Sequence, residues 1–176
     1  SLAADLTVME ESKEFMEKLD RGGKLPLFTS CCPAWVRYAE TKHPELLPQV
    51  SSCKSPQQMF GSVIKEYFRA EKSHEFKSTM MVSIMPCTAK KYECARPEFV
   101  TKGEKDVDVV ITTQELATMI REAGIVFSEL EPEAPDMPFG LASGSGVLFG
   151  VTGGVAEAVL RRCALERTQE SLKELA

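Results

Sequence analysis

Leu6, Met9, Phe15, Met16 and Leu19 fall on one helical face among acids and lysines, which predicts a helix over residues 2–19 stopped by Gly22-Gly23. Leu25 to Phe28 is a short apolar run cut off by Thr29, Ser30, Cys31, Cys32 and Pro33. It predicts a buried strand feeding a loop and then a second helix that starts near Pro33 or Ala34. That helix carries Trp35, Val36 and Tyr38 and fades by Pro44. Ser55-Pro56 has the form of an N-cap followed by proline at the first helical position. Met59, Val63, Ile64, Tyr67 and Phe68 continue at helical spacing, so a third helix is expected over about 56–71.

Beyond residue 78 the pattern changes. Thr79 to Met85, TMMVSIM, is nearly continuous and apolar for the length of a buried strand, and Pro86-Cys87 ends it; Val107 to Ile111 repeats the pattern. Thr112 and Glu115 have capping-box spacing and open a helix carrying Leu116, Met119 and Ile120, closed by Gly124. Strand, helix, strand and helix in that order predict an α/β fold, layered, with mostly parallel sheets flanked by helices. Glu129 to Pro138 is acidic and proline-rich and reads as a surface loop. Gly140 to Gly154 holds six glycines before a helix opening at Val155. There is no internal repeat and no low-complexity tract, and the 176 residues are expected to form one structural unit, 1–176.

Composition narrows the function. Lys plus Arg is 21 and Asp plus Glu is 26, a formal charge of −5 that argues against nucleic acid as a partner. No apolar run reaches the roughly 18 residues a membrane span needs, and the acidic start SLAADLTVMEESKEF lacks the pattern of an export signal. The expectation is a chain with no membrane partner and a cytoplasmic location, with a periplasmic one as the alternative. Six cysteines, at 31, 32, 53, 87, 94 and 163, are too few for a disulfide scaffold, and two are adjacent. Reduced thiols, as ligands, nucleophiles or proton carriers, are the default.

Ligands of open α/β sheets collect beyond the carboxyl ends of the strands, where Cys31, Cys32 and Cys87 all fall. They are either small buried apolar residues or soft ligands suited to iron-sulfur ligation, although a four-iron cluster takes four cysteines. Cys53, Cys94 and Cys163 form no spaced motif and read as filler or surface thiols. Glu11 and Glu14, three apart, share a helix face; spacing alone favours an ordinary solvated acidic face over a proton relay. Ser55 and Gln57 read first as a cap and a helix-surface residue, and Lys90 and Lys91 as exposed unless one turns into the crevice. The glycines of 140–154 lack the Walker lysine and the spaced GxGxxG, so a nucleotide-binding domain is the weaker reading.

FTSCCPAW (28–35), KSPQQMFG (54–61) and MPCTAKKYE (85–93), in this order, resemble the catalytic H-domain of FeFe hydrogenases, and FGVTGGVAEAVLR (149–161) resembles the segment that follows. The resemblance implies part of that family's two-lobed fold and reversible interconversion of protons and electrons with dihydrogen at an H-cluster. That cofactor is a four-iron four-sulfur cluster joined to a diiron site bearing carbon monoxide, cyanide and a bridging dithiolate. By the same resemblance Cys32 and Cys87 match cluster ligands and Cys31 the thiol that carries protons to the diiron site. Glu11, Ser51 and Glu14 match the outward proton path, with Lys18 where an arginine is common at the exit. Lys90 matches the lysine that pairs with a cyanide. Ser55, Pro56 and Gln57 match residues lining the cyanide and carbonyl ligands, and Met85, Phe28 and Phe149 apolar walls.

The family's other two cluster cysteines lie in a CxxxC motif that this chain does not contain. The resemblance therefore implies either a fragment of a longer enzyme or a missing part that arrives on another chain; by itself the chain would be inactive and without the H-cluster. Its partners would be the missing C-terminal part of the same domain and ferredoxin, a nicotinamide or another redox carrier. The alternative is a hydrogenase-like non-catalytic protein, a redox sensor or an iron-sulfur assembly relative. The presence of Cys31, Glu11, Glu14 and Lys90 favours the enzyme.

Overall fold

The computed structural model describes residues 2–70, 79–136, 139–141 and 143–170. In chain order its elements are α1 (Leu2–Asp20), α2 (Pro33–Lys42), a 3-10 turn (Pro44–Gln49), α3 (Pro56–Ala70), β1 (Val82–Met85) and α4 (Ala89–Cys94). Then follow β2 (Val100–Thr101), β3 (Glu104–Lys105), β4 (Val109–Thr112), α5 (Thr113–Glu122), a 3-10 turn (Phe127–Glu129), α6 (Ser145–Leu148) and α7 (Gly154–Thr168). The chain divides into two compact units, residues 1–60 with 141–176 and residues 61–140. Among the described residues no helix is long and apolar enough to cross a membrane.

The first unit is helical and its centre is the contact of α1 with α7. Ala4, Thr7, Val8, Glu11 and Ser12 form the buried stripe of α1 at three- and four-residue spacing, and Gly154, Ala158, Val159 and Cys163 are buried on α7. Small side chains on both faces let the axes approach. Gly154 stands where an added Cβ would lie 1.7 Å from the Leu148 carbonyl oxygen. The Asp5 carboxylate accepts the Ser143 N–H at 2.7 Å, and Asp20 pairs with Arg167, so both ends of α1 are tied.

The strand expected at Leu25–Phe28 is absent. Phe28 makes a single parallel bridge to Val50, its N–H donating to the Gln49 carbonyl at 2.8 Å and its carbonyl accepting the Ser51 N–H at 2.7 Å. Pro26 has no N–H to extend a ladder, so the apolar run is extended chain with one pairing. That bridge holds the segment leading to Cys31 beside the segment leading to Ser51. α2 starts at Pro33, as read, and α3 at Pro56, with the Ser55 hydroxyl 3.5 Å from the Gln58 N–H.

The second unit contains the sheets. β1 and β4 pair in parallel with Val82 opposite Val109 and Met85 opposite Thr112, and β2–β3 is a short antiparallel hairpin. Lys102 and Gly103, with φ of 53° and 84°, give the hairpin the doubly left-handed turn its twist requires. Two strand expectations need correction. The run from Thr79 yields only a four-residue β1, and the second strand begins at Val109, with Val107 in the core before it. Nor is β1 buried on both faces: Ser83 points inward while Val82 and Ile84 are exposed. The core, Cys94, Val107 and Val110 with Met81 and Met85, covers one side of the sheet. The capping box of Thr112 with Glu115 forms as expected and sets the start of α5. Residues 130–136 are exposed, as expected of a surface loop; Met137 and Pro138 lie outside the described residues.

Candidate proton relay and thiol sites

The buried stripe of α1 carries Glu11 inward with its apolar neighbours, leaving it 1% exposed. It is therefore no solvated face. Its Oε1 accepts the Ser30 N–H at 3.4 Å, and its Oε2 is buried without a hydrogen-bond partner. Burial pushes the Glu11 carboxyl above its ordinary pKa against the opposing pull of the Ser30 N–H and the Ser51 hydroxyl, and the nearby Glu14 charge pushes the same way.

Three residues further along, Glu14 sits partly out of the core. The Ser51 hydroxyl donates to its Oε2 at 2.7 Å, the Ser52 N–H donates to the same oxygen at 3.1 Å, and the Lys18 ammonium lies 3.2 Å from Oε1. Burial raises the Glu14 pKa, but the bonds from Ser51, Lys18 and Ser52 outweigh it and hold the carboxyl below its usual range. Two neighbouring carboxyls are thus pushed apart, Glu11 toward the acid and Glu14 toward the anion. Exposure rises along the same helix to 17% for the Glu14 side chain and 24% for Lys18. The Ser51 hydroxyl, brought by a different segment, bonds Glu14 and also pulls on the Glu11 carboxyl, so one hydroxyl acts on both acids.

Cys31 is half-buried, and Cys32 is exposed as the residue capping α2. In the second unit Cys87 is exposed two residues beyond β1. The soft, exposed thiols of Cys32 and Cys87 fit iron-sulfur ligation, although among the described residues no group of three His, Cys, Asp or Glu converges on one metal position. Cys94 and Cys163 are buried, Cys94 bonded to the Val107 carbonyl, in keeping with filler thiols.

The remaining site candidates divide between the units. Ser55 and Gln57 are buried, which corrects the surface reading of Gln57, and Pro56 is half-buried. Phe28 packs against Trp35, with ring centroids 5.6 Å apart, and Phe149 is half-buried at the end of α6. In the second unit Met85 packs on the core, and Lys90 is nearly buried with its ammonium 3.0 and 3.2 Å from the two carboxylate oxygens of buried Glu93. Cys87 lines an open cleft of about 600 Å³ with Thr88, Thr112 and Glu115. Lys91, bonded to Glu115 at 2.5 Å, is the principal cause of the Glu115 carboxyl falling to about 2.

Sequence reasoning missed three participants. Ser30 donates its hydroxyl to the Cys53 carbonyl at 2.7 Å and its N–H to Glu11, fastening the Cys31 loop to α1. Glu93 lies one helical turn from Lys90, a spacing that signals the pair. Cys53, read as filler or a surface thiol, places its Sγ 3.7 Å from Glu14 Oε2. No local pattern marks it.

A layered α/β chain with exposed soft thiols and a partly buried cluster of two carboxyls about one hydroxyl has the features of an iron-sulfur oxidoreductase domain. The family described as "Iron only hydrogenase large subunit, C-terminal domain" matches residues 1–176, and the chain belongs to it. The NADP-reducing hydrogenase subunit HndD of Solidesulfovibrio fructosivorans is 48% identical over 98% of this chain and 31% of its own length. The apo FeFe-hydrogenase of Chlamydomonas reinhardtii superposes with a TM-score of 0.83 at 44% identity, covering 99% of this chain and 44% of that one. A second FeFe-hydrogenase structure, concerned with stepwise H-cluster assembly, gives 0.84 at 45% identity with the same coverage. A more distant relative, the cytosolic Fe-S cluster assembly factor narfl of Xenopus tropicalis, is 36% identical over 94% of this chain and 37% of its own length. The chain spans less than half the length of these relatives.

Proposed function

We propose that, within the complete polypeptide, this chain supplies part of the active-site domain of an iron hydrogenase that interconverts protons and electrons with dihydrogen. The observation that carries the reading is the line Glu11, Ser51, Glu14 and Lys18, which runs from a buried carboxyl fastened to the Cys31 loop toward solvent. Cys32 and Cys87 would hold iron, together with cysteines from the rest of the polypeptide. When bound, the H-cluster supplies the redox site at which protons and electrons combine.

The chain's own residues serve that site with protons and a dry wall. The Cys31 thiol exchanges a proton between the site and Glu11, which burial keeps ready to hold one. Ser51 passes its hydroxyl proton to Glu14 as it takes one from Glu11, so no charge rests on the hydroxyl. Glu14 hands the proton to solvent beside Lys18, and the reverse sequence brings protons in. With the cofactor in place Lys90, paired here with Glu93, would offer an ammonium to an anionic cyanide, Ser55, Pro56 and Gln57 would contribute the lining, and Phe28, Met85 and Phe149 would help exclude water. Electrons are exchanged with ferredoxin or a nicotinamide through the rest of the protein.

The test is an infrared spectrum of the complete polypeptide, produced anaerobically with the hydrogenase maturation machinery. Metal-bound carbonyl and cyanide bands with hydrogen turnover are expected. A protein that holds an iron-sulfur cluster but shows neither band would transfer the reading to a non-catalytic sensor or assembly role, the function class of the narfl relative.

A further inference from the structure

Glu14 Oε2 faces three donors, and the relay as described uses one of them. The Ser52 N–H is fixed backbone and the Ser51 hydroxyl is the conducting group; the third is the Cys53 thiol at 3.7 Å. Cys53 is held from both sides. Its N–H donates to the Ser51 oxygen at 3.2 Å, and its carbonyl accepts the Ser30 hydroxyl at 2.7 Å, so its backbone touches both the conducting hydroxyl and the Cys31 loop. We propose that Cys53 is a positioning residue of the proton relay, its S–H donating to Glu14 Oε2 so that this oxygen stays opposite Ser51 and the carboxylate stays ionised between proton transfers.

The chemistry of the thiol suits the task. Burial, reinforced by the charges of Glu14 and Glu11 against a bond from Ser51, pushes Cys53 up to about 12, so the group remains a neutral donor wherever the enzyme works. A hydroxyl in its place would compete with Ser51 as a proton carrier; a thiol donates weakly and hardly accepts. It orients without diverting the path. No bond is made or broken at Cys53, because the proton passes from Glu11 through Ser51 to Glu14 and the S–H proton stays on sulfur.

The inference rests on the relay reading above, and the experiment separates the two. In the complete, matured polypeptide, hydrogen turnover is measured against pH for the wild type, Cys53→Ala and Cys53→Ser, with the carbonyl and cyanide bands recorded for each. Removing a donor raises a carboxyl pKa, so Cys53→Ala is expected to move the acid-side midpoint upward by about half a pH unit. Cys53→Ser restores a donor and is expected to return the midpoint to the wild-type value or below it. In parallel, the S–H stretch assigned to Cys53 by difference against Cys53→Ala should lie low in the wild type and rise in Glu14→Gln. Coincident midpoints with intact bands, or midpoints shifted equally by both substitutions, would overturn the positioning role. So would an S–H band indifferent to Glu14→Gln. A wild type without carbonyl and cyanide bands would instead overturn the relay reading, while the S–H comparison on that sample would still decide whether the Cys53–Glu14 bond exists.

Discussion

Glu11 stands where an ionised carboxyl is expensive: 1% exposed, with one oxygen lacking a partner. Its folded pKa lies above the unfolded one, so the native state bears no ionisation cost below the unfolded value of about 4.3 and acquires one as pH rises through the folded value. Glu11→Gln is therefore expected to stabilise the protein at neutral pH, by on the order of 1–3 kcal/mol, and to lose that advantage below about pH 4. Thermal denaturation across that range checks the sign, and the same variant should lose most of its hydrogen turnover. Glu14 behaves oppositely. Its lowered pKa contributes stability above the unfolded value that is lost as pH falls through the folded one, so Glu14→Gln should destabilise at neutral pH and flatten the acid limb of the stability curve. Cys31→Ala should leave the carbonyl and cyanide bands in place while nearly abolishing turnover; wild-type rates in that variant would remove Cys31 from the path. At this scale the sequence was legible in part. Spacing placed Glu11 and Glu14 on one face but read that face as solvated, because burial depends on α7, some 150 positions away. Only the family resemblance reinstated them. Cys53 escaped both readings, since α1 supplies the carboxyl at its thiol and the 28–32 segment the hydroxyl at its carbonyl.

Helices were easier to read than strands, and the reason is local. α1, α2, α3 and α5 start or stop on chemistry contained within a few residues: Pro33 and Pro56 at first helical positions, the Thr112–Glu115 box, and the Gly22-Gly23 stop. Strand limits depend on partners, which is why Leu25–Phe28 reduced to one bridge and the run from Thr79 to four residues. The close approaches between elements were not legible at all. Gly61 on α3 leaves no room for a side chain, since a Cβ there would meet the Asp106 carbonyl oxygen at 2.3 Å and Val107 Cγ2 at 2.9 Å. Gly61→Ala should cost about 1–3 kcal/mol despite the better helix propensity of alanine. Gly154→Ala should cost more, because backbone blocks its Cβ at 1.7 Å and the α6–α7 corner must open. Thr112→Ala should cost about 1 kcal/mol through the lost cap alone. Chemical denaturation of the three variants orders them.

Across the whole molecule, the α/β class and the parallel pairing were foreseen, and the one-sided sheet was not. Val82, Ile84 and Val109 lie exposed, in a parallel sheet of the kind that is ordinarily covered on both faces. The chain by itself should therefore bind a hydrophobic dye such as ANS more strongly than does the complete polypeptide, and Ile84→Lys should reduce that binding. Iron follows the same logic. With Cys32 and Cys87 as the matched ligands, the 176 residues reconstituted with iron and sulfide should fail to reach one stoichiometric four-iron cluster per chain, which iron analysis measures. The acids of α1 add a last consequence. Glu11, Glu14 and Lys18 succeed one another from the middle of that helix toward its C-terminal end at Asp20, so on the proposed relay a proton leaving the interior would travel along the axis and not across it. The aligned peptide dipoles make the far end the more negative one, and an excess positive charge gains ground as it nears the surface. Peptide bonds that take no part in acid–base chemistry would thus give the path a slope, easing release and holding arriving protons at the mouth.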